Sequence, residues 1–400
     1  IKWYIKSMIP FFIVKKYTNY FVSGPASMLE YYEKELNIKK EKLICLYNDI
    51  DLSRFFKNTE EKKLAIKNEL KIEKRDNNVP EFTPLSISEI TQKVSNLLKH
   101  IKPDVFIVYA DRYETFAAVI ASSQMGIQTI HLEGGDVTEG GTFDDNVRHA
   151  ITKLSHFHFT TNEMAKNRII RMGEEKWRVK NFGYPAIDLI KDSNFATPEE
   201  IKKKLNLSLK KPIVIFTLHP IPIEQKNFKK NINSCLDALK KVSTKDINII
   251  ITNPNSDRGG DEYLKILKNF KNKKNFRIYD SLGRYYYHGI LSLVKRINLS
   301  VVCVGNSSSG IKETGIFGCP TVNIGKRQNG RLRSNNIIDV DYNSKKIFGA
   351  IIKSINNKNF KTKCLRAKNV YGGGDTGKKV ADFLEKLNLN NKNILIKKFK

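Results

Sequence analysis

Carboxylates are scarce in this 400-residue chain, where 70 Lys and Arg face 41 Asp and Glu, yet residues 131–149, HLEGGDVTEGGTFDDNVRH, concentrate them. Glu133 closes an apolar run, IQTIHLE, that reads as a buried strand. Burial of an unpaired carboxylate is costly and pushes its pKa toward the range where it exchanges protons near neutrality. Asp144 and Asp145 precede NVRHAITKLS, where either would also cap a helix. Asp136, Glu139 and Asp145 read as acids that shape or cap the loop. A further acid, Asp111, follows a second apolar run, VFIVYA, with Arg112 beside it. Two or three such carboxylates around one small molecule make an acid/base site.

The second half of the chain carries a different chemistry. His219 ends PIVIFTLHP, Asn255 ends INIIITNPN with Asp257 close behind, and GNSSSGIKETG (305–315) follows VVCV. In the last of these, a Gly/Ser loop leads into a helix expected to start near Gly310. Backbone N–H groups, the helix dipole and the hydroxyls of Ser307 and Ser308 would receive a phosphate there. An ordinary Ser N-cap is the competing account, and the Arg327, Arg331 and Arg333 cluster in GKRQNGRLR tilts the balance toward an anion. GGGDTGKK (372–379) nearly fits the phosphate-loop pattern but has Lys379 where the magnesium-binding Ser or Thr belongs, and RAKNVY before it is no buried strand. A glycine turn into a last helix, VADFLEKL, accounts for it better. HFHF (156–159) places two histidines on one strand face. With no third ligand in sight they read as packed strand residues rather than a metal site, and no metal is expected.

These groups need a frame that brings strand ends together. The chain alternates β-rich runs with amphipathic helical ones, the pattern of a parallel sheet covered on both faces. NYFVSG, VFIVYA, IQTIHLE, FHFTT and VKNFG read as strands in the first half. PIVIFTLHP, INIIITNPN, FRIYDS, LSVVCVGN and TVNIG do so in the second. The expected fold is α/β: two doubly wound, Rossmann-like units facing across a cleft, with ligands at the carboxyl ends of their strands. The boundary is expected near Gly183-Tyr184-Pro185, giving an N-terminal unit (1–185), a nucleotide-binding unit (186–370) and a C-terminal helix (371–390) that packs back on the first.

Composition narrows the class. Apolar runs such as MIPFFIV (8–14) fall far short of the roughly 20 residues a membrane helix needs. The N-terminus has no small-residue cleavage site, so no signal peptide is expected. Five scattered cysteines without a CxxC pair suit reduced thiols in the cytoplasm. The net charge of +29 is mostly Lys, dispersed among Asn. With no recognisable nucleic-acid module, an anionic small substrate is a better partner for that field than DNA or RNA.

Taken in order, PDVFIVYADRYET, HLEGGDVTEGGTFDDNVRHAITKLSHFHFTTNEMAKNRIIRMGEEKWRV, GYPAID, PNSD, GNSSSGIKETGIFGCPTVNIGKRQNGR and NVYGGGDTGKKV resemble the hydrolysing UDP-N-acetylglucosamine 2-epimerases of the sialic and legionaminic acid type, over about Lys102 to Tyr371. The resemblance implies a GT-B-like fold and anti elimination of UDP to a 2-acetamidoglycal. Protonation of C2 from the other face and addition of water at C1 then release an N-acetylmannosamine-type sugar. It implies that Asp111, Glu133 and Asp144 are the acid/base carboxylates and that His219 lies near the diphosphate and sugar. Ser307 and Ser308, with Gly310 in their loop, would meet phosphate and Glu313 the ribose, with Arg112, Asn255, Asp257 and Arg327 in support. A UDP-sugar substrate, no cofactor, and a homodimer or homotetramer are expected. The family's opening strand and its TGTRAD-like loop have no counterpart, so the first strand is expected to be missing or diverged, and Ala110 stands where Gly is usual. A non-hydrolysing epimerase, a GT-B glycosyltransferase and an inactive RNA-binding descendant are the alternatives.

Overall fold

The computed structural model describes residues 21–23, 43–45, 81–109, 111–138, 144–221, 224, 227–254, 260–268, 270, 275–388 and 391–398. The expectations for residues 1–20, Ala110, Asn255 and Asp257 lie outside the described residues. The chain divides into two compact units. One is Ile1–Asp136, Phe143–Asp188 and Gly372–Lys400; the other is Val137–Thr142 and Leu189–Tyr371.

In the first unit β1 (Phe21–Ser23) pairs in parallel with β2 (Leu43–Cys45), a strand that the sequence pattern did not single out. Helix α1 (Phe82–Ile101) buries Ile90, Val94, Leu97 and Leu98 at the spacing of one helix face. It stops at left-handed Lys102, whose N–H bonds Leu98 O at 2.9 Å, just before Pro103. Strands β3 (Val105–Tyr109) and β4 (Gln128–Leu132) are joined through α2 (Tyr113–Gln124), whose small buried face of Ala117, Ala118 and Ala121 packs against α1. Helix α3 (Asp144–Leu154), β5 (Phe157–Thr160), α4 (Glu163–Arg171) and β6 (Val179–Asn181) complete a four-stranded parallel sheet of order β3-β4-β5-β6. Parallel pairing brings the carboxyl ends of β3 and β4 side by side, with Tyr109 level with Leu132.

Short helix α5 (Ala186–Lys191) and α6 (Pro198–Leu205) lead onward. The second unit is built from β7 (Ile213–Thr217), α7 (Phe228–Ser243), β8 (Asn248–Thr252), α8 (Gly260–Lys268), β9 (Phe276–Tyr279), α9 (Gly283–Arg296) and β10 (Val301–Gly305). After the single-turn α10 (Ser309–Lys312) come β11 (Thr321–Ile324), β12 (Ile337–Val340), α11 (Ser344–Asn356) and α12 (Lys358–Leu365). The six strands are parallel in the order β12-β11-β10-β7-β8-β9. Alternate residues feed two cores: Val214, Phe216, Ile249, Ile251, Val302 and Val304 on one face, and Ile213, Ile215, Ile250, Val301 and Cys303 on the other. Burial of both faces is why these strands read as unbroken apolar runs.

The order reverses between β7 and β10, which makes their carboxyl ends the switch point where such sheets take ligands. Two sequence expectations change here. The helix expected from Gly310 is one turn long, so its dipole is correspondingly small. Strand β12, in NNIIDVD, was not foreseen, because its residues are only half-buried and break the apolar run.

Helix α13 (Thr376–Glu385) belongs to the first unit. Its Phe383 meets Phe157 and Phe159 edge-on at 5.4 and 5.1 Å. The backbone N–H groups of Thr376 and Gly377 bond the two carboxylate oxygens of Asp188 at 3.1 and 2.9 Å. The phosphate-loop lookalike GGGDTGKK thus gives to the chain's own carboxylate the donors that a phosphate would need.

Among the described residues no helix is long and apolar enough to cross a membrane. Cys235, Cys303, Cys319 and Cys364 are buried free thiols.

Candidate active site

Two polar centres form at strand ends, one in each unit. In the first, Glu133 follows β4 and is 8% exposed. Its backbone is left-handed, with φ of 64°, while its N–H bonds Phe159 O at 3.0 Å. A non-glycine residue held there carries strain, which collects at functional positions. Tyr109, the last residue of β3, donates its hydroxyl to Glu133 Oε1. Burial of that hydroxyl, followed by the Glu133 charge, raises the Tyr109 pKa well above its usual value. The carboxylate expected to be buried without a partner therefore has one.

The two glycines after Glu133 let the loop press onto its neighbours. Gly135 has φ of +75°, and a Cβ on it would collide with Ala165 O of α4. Arg168 of α4 also donates to Gly135 O. The loop's Asp136 is 5% exposed, and its Oδ1 accepts from Asn162 at 3.3 Å.

Asp111, at the end of β3, is held from the side by Arg148 of α3. Arg148 is 1% exposed and is the residue that the sequence reading missed. One guanidinium nitrogen pairs with Asp111, and the other pairs with Asp145 and donates to Asp136 O at 2.9 Å. Burial works against the guanidinium charge, but Asp111 and Asp145 outweigh it and hold the pKa above its ordinary value. The acids of HLEGGDVTEGGTFDDNVRH are thus arranged partly around one cation. Asp145 shapes the site by this pairing, while Asp144 opens α3. The Asp145 and Arg148 spacing of three within a helix was the available signal. Arg112 pairs with Glu114 at 3.3 Å.

In the second unit the switch point is organised by Asn306, fully buried and also missed. Its side-chain oxygen accepts from His219 N at 2.7 Å, and its amide donates to His219 O at 2.9 Å. This two-bond clamp fixes the chain at the end of β7. Gly305 before it has φ of +132°, with Thr217 O where a Cβ would stand, so only glycine fits. Gln328 donates to Asn306 O at 2.8 Å and Arg327 does so at 3.3 Å. Arg331 spends its donors on Gln328 Oε1 at 2.7 Å and Val137 O at 3.1 Å, and Arg333 on the carbonyls of Gln328 and Arg331 and on Asp339. Of the arginine cluster, Arg327 is the one placed at the Gly/Ser loop, while Arg331 and Arg333 brace their own segment.

Ser307, Ser308 and Ser309 are half-buried in that loop. Ser307 and Ser309 hydroxyls lie 3.0 Å apart, and Tyr287 OH is 3.1 Å from Ser309. Ser308 occupies the N-cap position without a side-chain capping bond, so the ordinary cap account does not describe its hydroxyl. Gly310 is buried against Thr321 and Cys303. Glu313, 8% exposed, has its Oε2 2.7 Å from His288 Nε2. Among the described residues no group of three or more His, Cys, Asp or Glu side chains is placed to hold a metal ion.

Two parallel α/β sheets with acids at the strand ends of one and a clamped Gly/Ser loop at the switch point of the other define a GT-B-like protein of nucleotide-sugar type. More narrowly, the chain belongs to the UDP-N-acetylglucosamine 2-epimerase family, whose model matches residues 36–385. It is 38% identical over 261 residues to GDP/UDP-N,N'-diacetylbacillosamine 2-epimerase (hydrolyzing) of Campylobacter jejuni, covering 64% of this chain and 65% of that one. It is 34% identical over 288 residues to UDP-N,N'-diacetylbacillosamine 2-epimerase (hydrolyzing) of Legionella pneumophila, covering 72% of each. The crystal structure of UDP-GlcNAc 2-epimerase from Neisseria meningitidis bound to UDP-GlcNAc is similar in fold, with a TM-score of 0.71 at 16% identity, covering 92% of this chain and 99% of that one.

Proposed function

We propose that this chain is a hydrolysing UDP-sugar 2-epimerase that converts UDP-N-acetylglucosamine or UDP-N,N'-diacetylbacillosamine to UDP and the free 2-epimeric sugar, for nonulosonic acid biosynthesis. A base takes the C2 proton as the C1 to oxygen bond breaks, and UDP departs with the bonding pair, leaving a 2-acetamidoglycal. An acid returns a proton to C2 from the opposite face, and water adds at C1. Neither proton transfer is easy, because C2 is not acidic, so carboxylates must be held in set positions.

The observation that carries the reading is that Glu133 and Asp111, at adjacent strand ends, are each fixed by a different partner, Tyr109 and Arg148. We assign the C2 proton steps to Glu133 and Asp144, with Asp111 positioning them. The diphosphate goes to Ser307, Ser308, the Gly310 loop, His219 and Arg327, and the ribose to Glu313. Arg112, Asn255 and Asp257 support substrate binding. A homodimer or homotetramer and a cytoplasmic location complete the proposal, the latter suited to buried free thiols.

The test is to incubate the protein with each UDP-sugar in D2O. Free UDP and a manno-configured sugar deuterated at C2 are expected. A UDP-linked epimer would mean non-hydrolysing chemistry, and no UDP release from either substrate would overturn the assignment.

A further inference from the structure

Glu313 has a buried neighbour whose role the reaction leaves open. His288, on α9, is 1% exposed, and its Nε2 is 2.7 Å from Glu313 Oε2. Its ring packs at 5.5 Å against Phe317. His288 Nδ1 is enclosed and has no hydrogen-bond partner. An unmet buried acceptor costs about 1–3 kcal/mol, and such groups call for a reason. With Nδ1 facing no acceptor, the proton sits on Nε2 and is donated to the carboxylate.

We propose that His288 is a positioning residue for nucleotide recognition. By donating to Oε2 from a ring locked by Phe317, it fixes the plane of the Glu313 carboxylate so that its remaining lone pairs accept from the vicinal hydroxyls of a ribose. The inference rests on the assignment of Glu313 to the ribose. A carboxylate offers about four acceptor sites, so a donor on one oxygen does not exhaust it, and that bond hinders rotation about the last side-chain bond. The chemical class selected is a ribonucleoside diphosphate, in preference to its 2'-deoxy analogue. The orphaned Nδ1 follows from this arrangement, because turning the ring to satisfy it would withdraw Nε2 from Glu313.

The experiment measures UDP and 2'-deoxy-UDP affinities by calorimetry for the wild type, His288→Phe and His288→Gln. The wild type should prefer UDP by about ten-fold, the worth of one hydrogen bond to a charged group. In His288→Phe the preference should shrink to about two-fold, whereas His288→Gln, whose amide can donate in place of Nε2, should recover most of it. Both ligands are measured on the same folded fraction, so the ratio is insensitive to lost stability. A wild-type ratio near one overturns the ribose assignment, and the proposal with it. A normal wild-type ratio that His288→Phe leaves unchanged overturns the proposal alone.

Discussion

Two buried charge clusters lie at opposite ends of the same four-stranded sheet, and they differ in what they hold. At the carboxyl ends of β3 and β4, Arg148 gathers Asp111 and Asp145 while Tyr109 meets Glu133, whose backbone is strained. At the amino ends of β5 and β6, Glu174 is 2% exposed and gathers donors: the His158 ring at 3.1 Å, whose burial lowers its pKa, and the ammonium groups of Lys153 at 2.7 Å and Lys397 at 2.8 Å. Lys397 also donates to the carbonyls of Lys153 and Ser155 at 2.7 and 2.8 Å, and Arg178 to those of Ile394 and Ile396 at 2.7 and 2.8 Å. The second cluster ties the C-terminal segment to the sheet with relaxed geometry on main-chain carbonyls. The first gathers its carboxylates at the carboxyl ends of adjacent strands. One is a staple and the other is the proposed machinery, although both are built around carboxylates.

The largest expected contrast comes from two isosteric changes. Glu133→Gln should lower turnover about 10²- to 10⁴-fold, the range for loss of a general acid or base. Its urea midpoint should stay close to that of the wild type, and UDP affinity by calorimetry should be nearly unchanged. Glu174→Gln leaves the buried Lys397 ammonium without its anion and should cost about 3–5 kcal/mol of unfolding free energy, while the turnover of the folded fraction stays normal. If the two variants showed the same balance of lost stability and lost rate, the division between staple and machinery would be wrong.

Arg148→Lys probes the first cluster more gently. It keeps the charge but cannot span Asp111, Asp145 and the Asp136 carbonyl with one planar fork. A misplaced carboxylate should lower turnover by about 10²-fold, with little change in UDP affinity. Turnover equal to the wild type would mean that Asp111 needs no such support.

Glu133 and Asp111 were legible in the sequence because each ends an apolar run, and the parallel sheet places such ends on one edge. Arg148 was not, because an arginine in NVRHAITKLS reads as a solvated helix charge and its partner Asp111 is 37 residues away. Asn306 hid for a similar reason: its two bonds to the His219 backbone bridge 87 residues. The histidines of HFHF were read as packed strand residues, and His158 is fully buried in β5. That Glu174 meets it there and is met in turn by Lys397 depends on the course of the C-terminal segment, to which the local pattern is blind. Strands buried on both faces were the easiest elements to find, and half-buried β12 and short β2 were the hardest.

Acid should loosen the staple in two stages. Burial, then Lys397 and Arg178, lowers the His156 pKa from 6.5 to about 4. The unfolded chain takes up a proton below 6.5 that the folded chain refuses until about 4, so this stability is complete above 6.5 and is lost as pH falls. The full loss is about 3 kcal/mol. Burial alone would raise the Glu174 pKa, but His158, Lys153 and Lys397 hold it at about 2, so its contribution disappears between 4.5 and about 2. Urea midpoints measured from pH 7 to 4 should fall more steeply for the wild type than for His156→Gln. Parallel curves would remove His156 from the account.

The smallest effect should come from within the staple itself. Lys153 and Lys397 both pair with Glu174, but the side chain of Lys153 is 35% exposed and that of Lys397 is 10%. Water already screens the first, so Lys153→Met should cost less than about 1 kcal/mol. Lys397→Met also deprives three main-chain carbonyls of their donor, and it should approach the cost of Glu174→Gln. Hydrogen exchange at residues 391–398 separates the cases: protection should survive Lys153→Met and vanish in Lys397→Met. Equal loss of protection would mean that charge balance, and not the bonds to the carbonyls, holds the segment down.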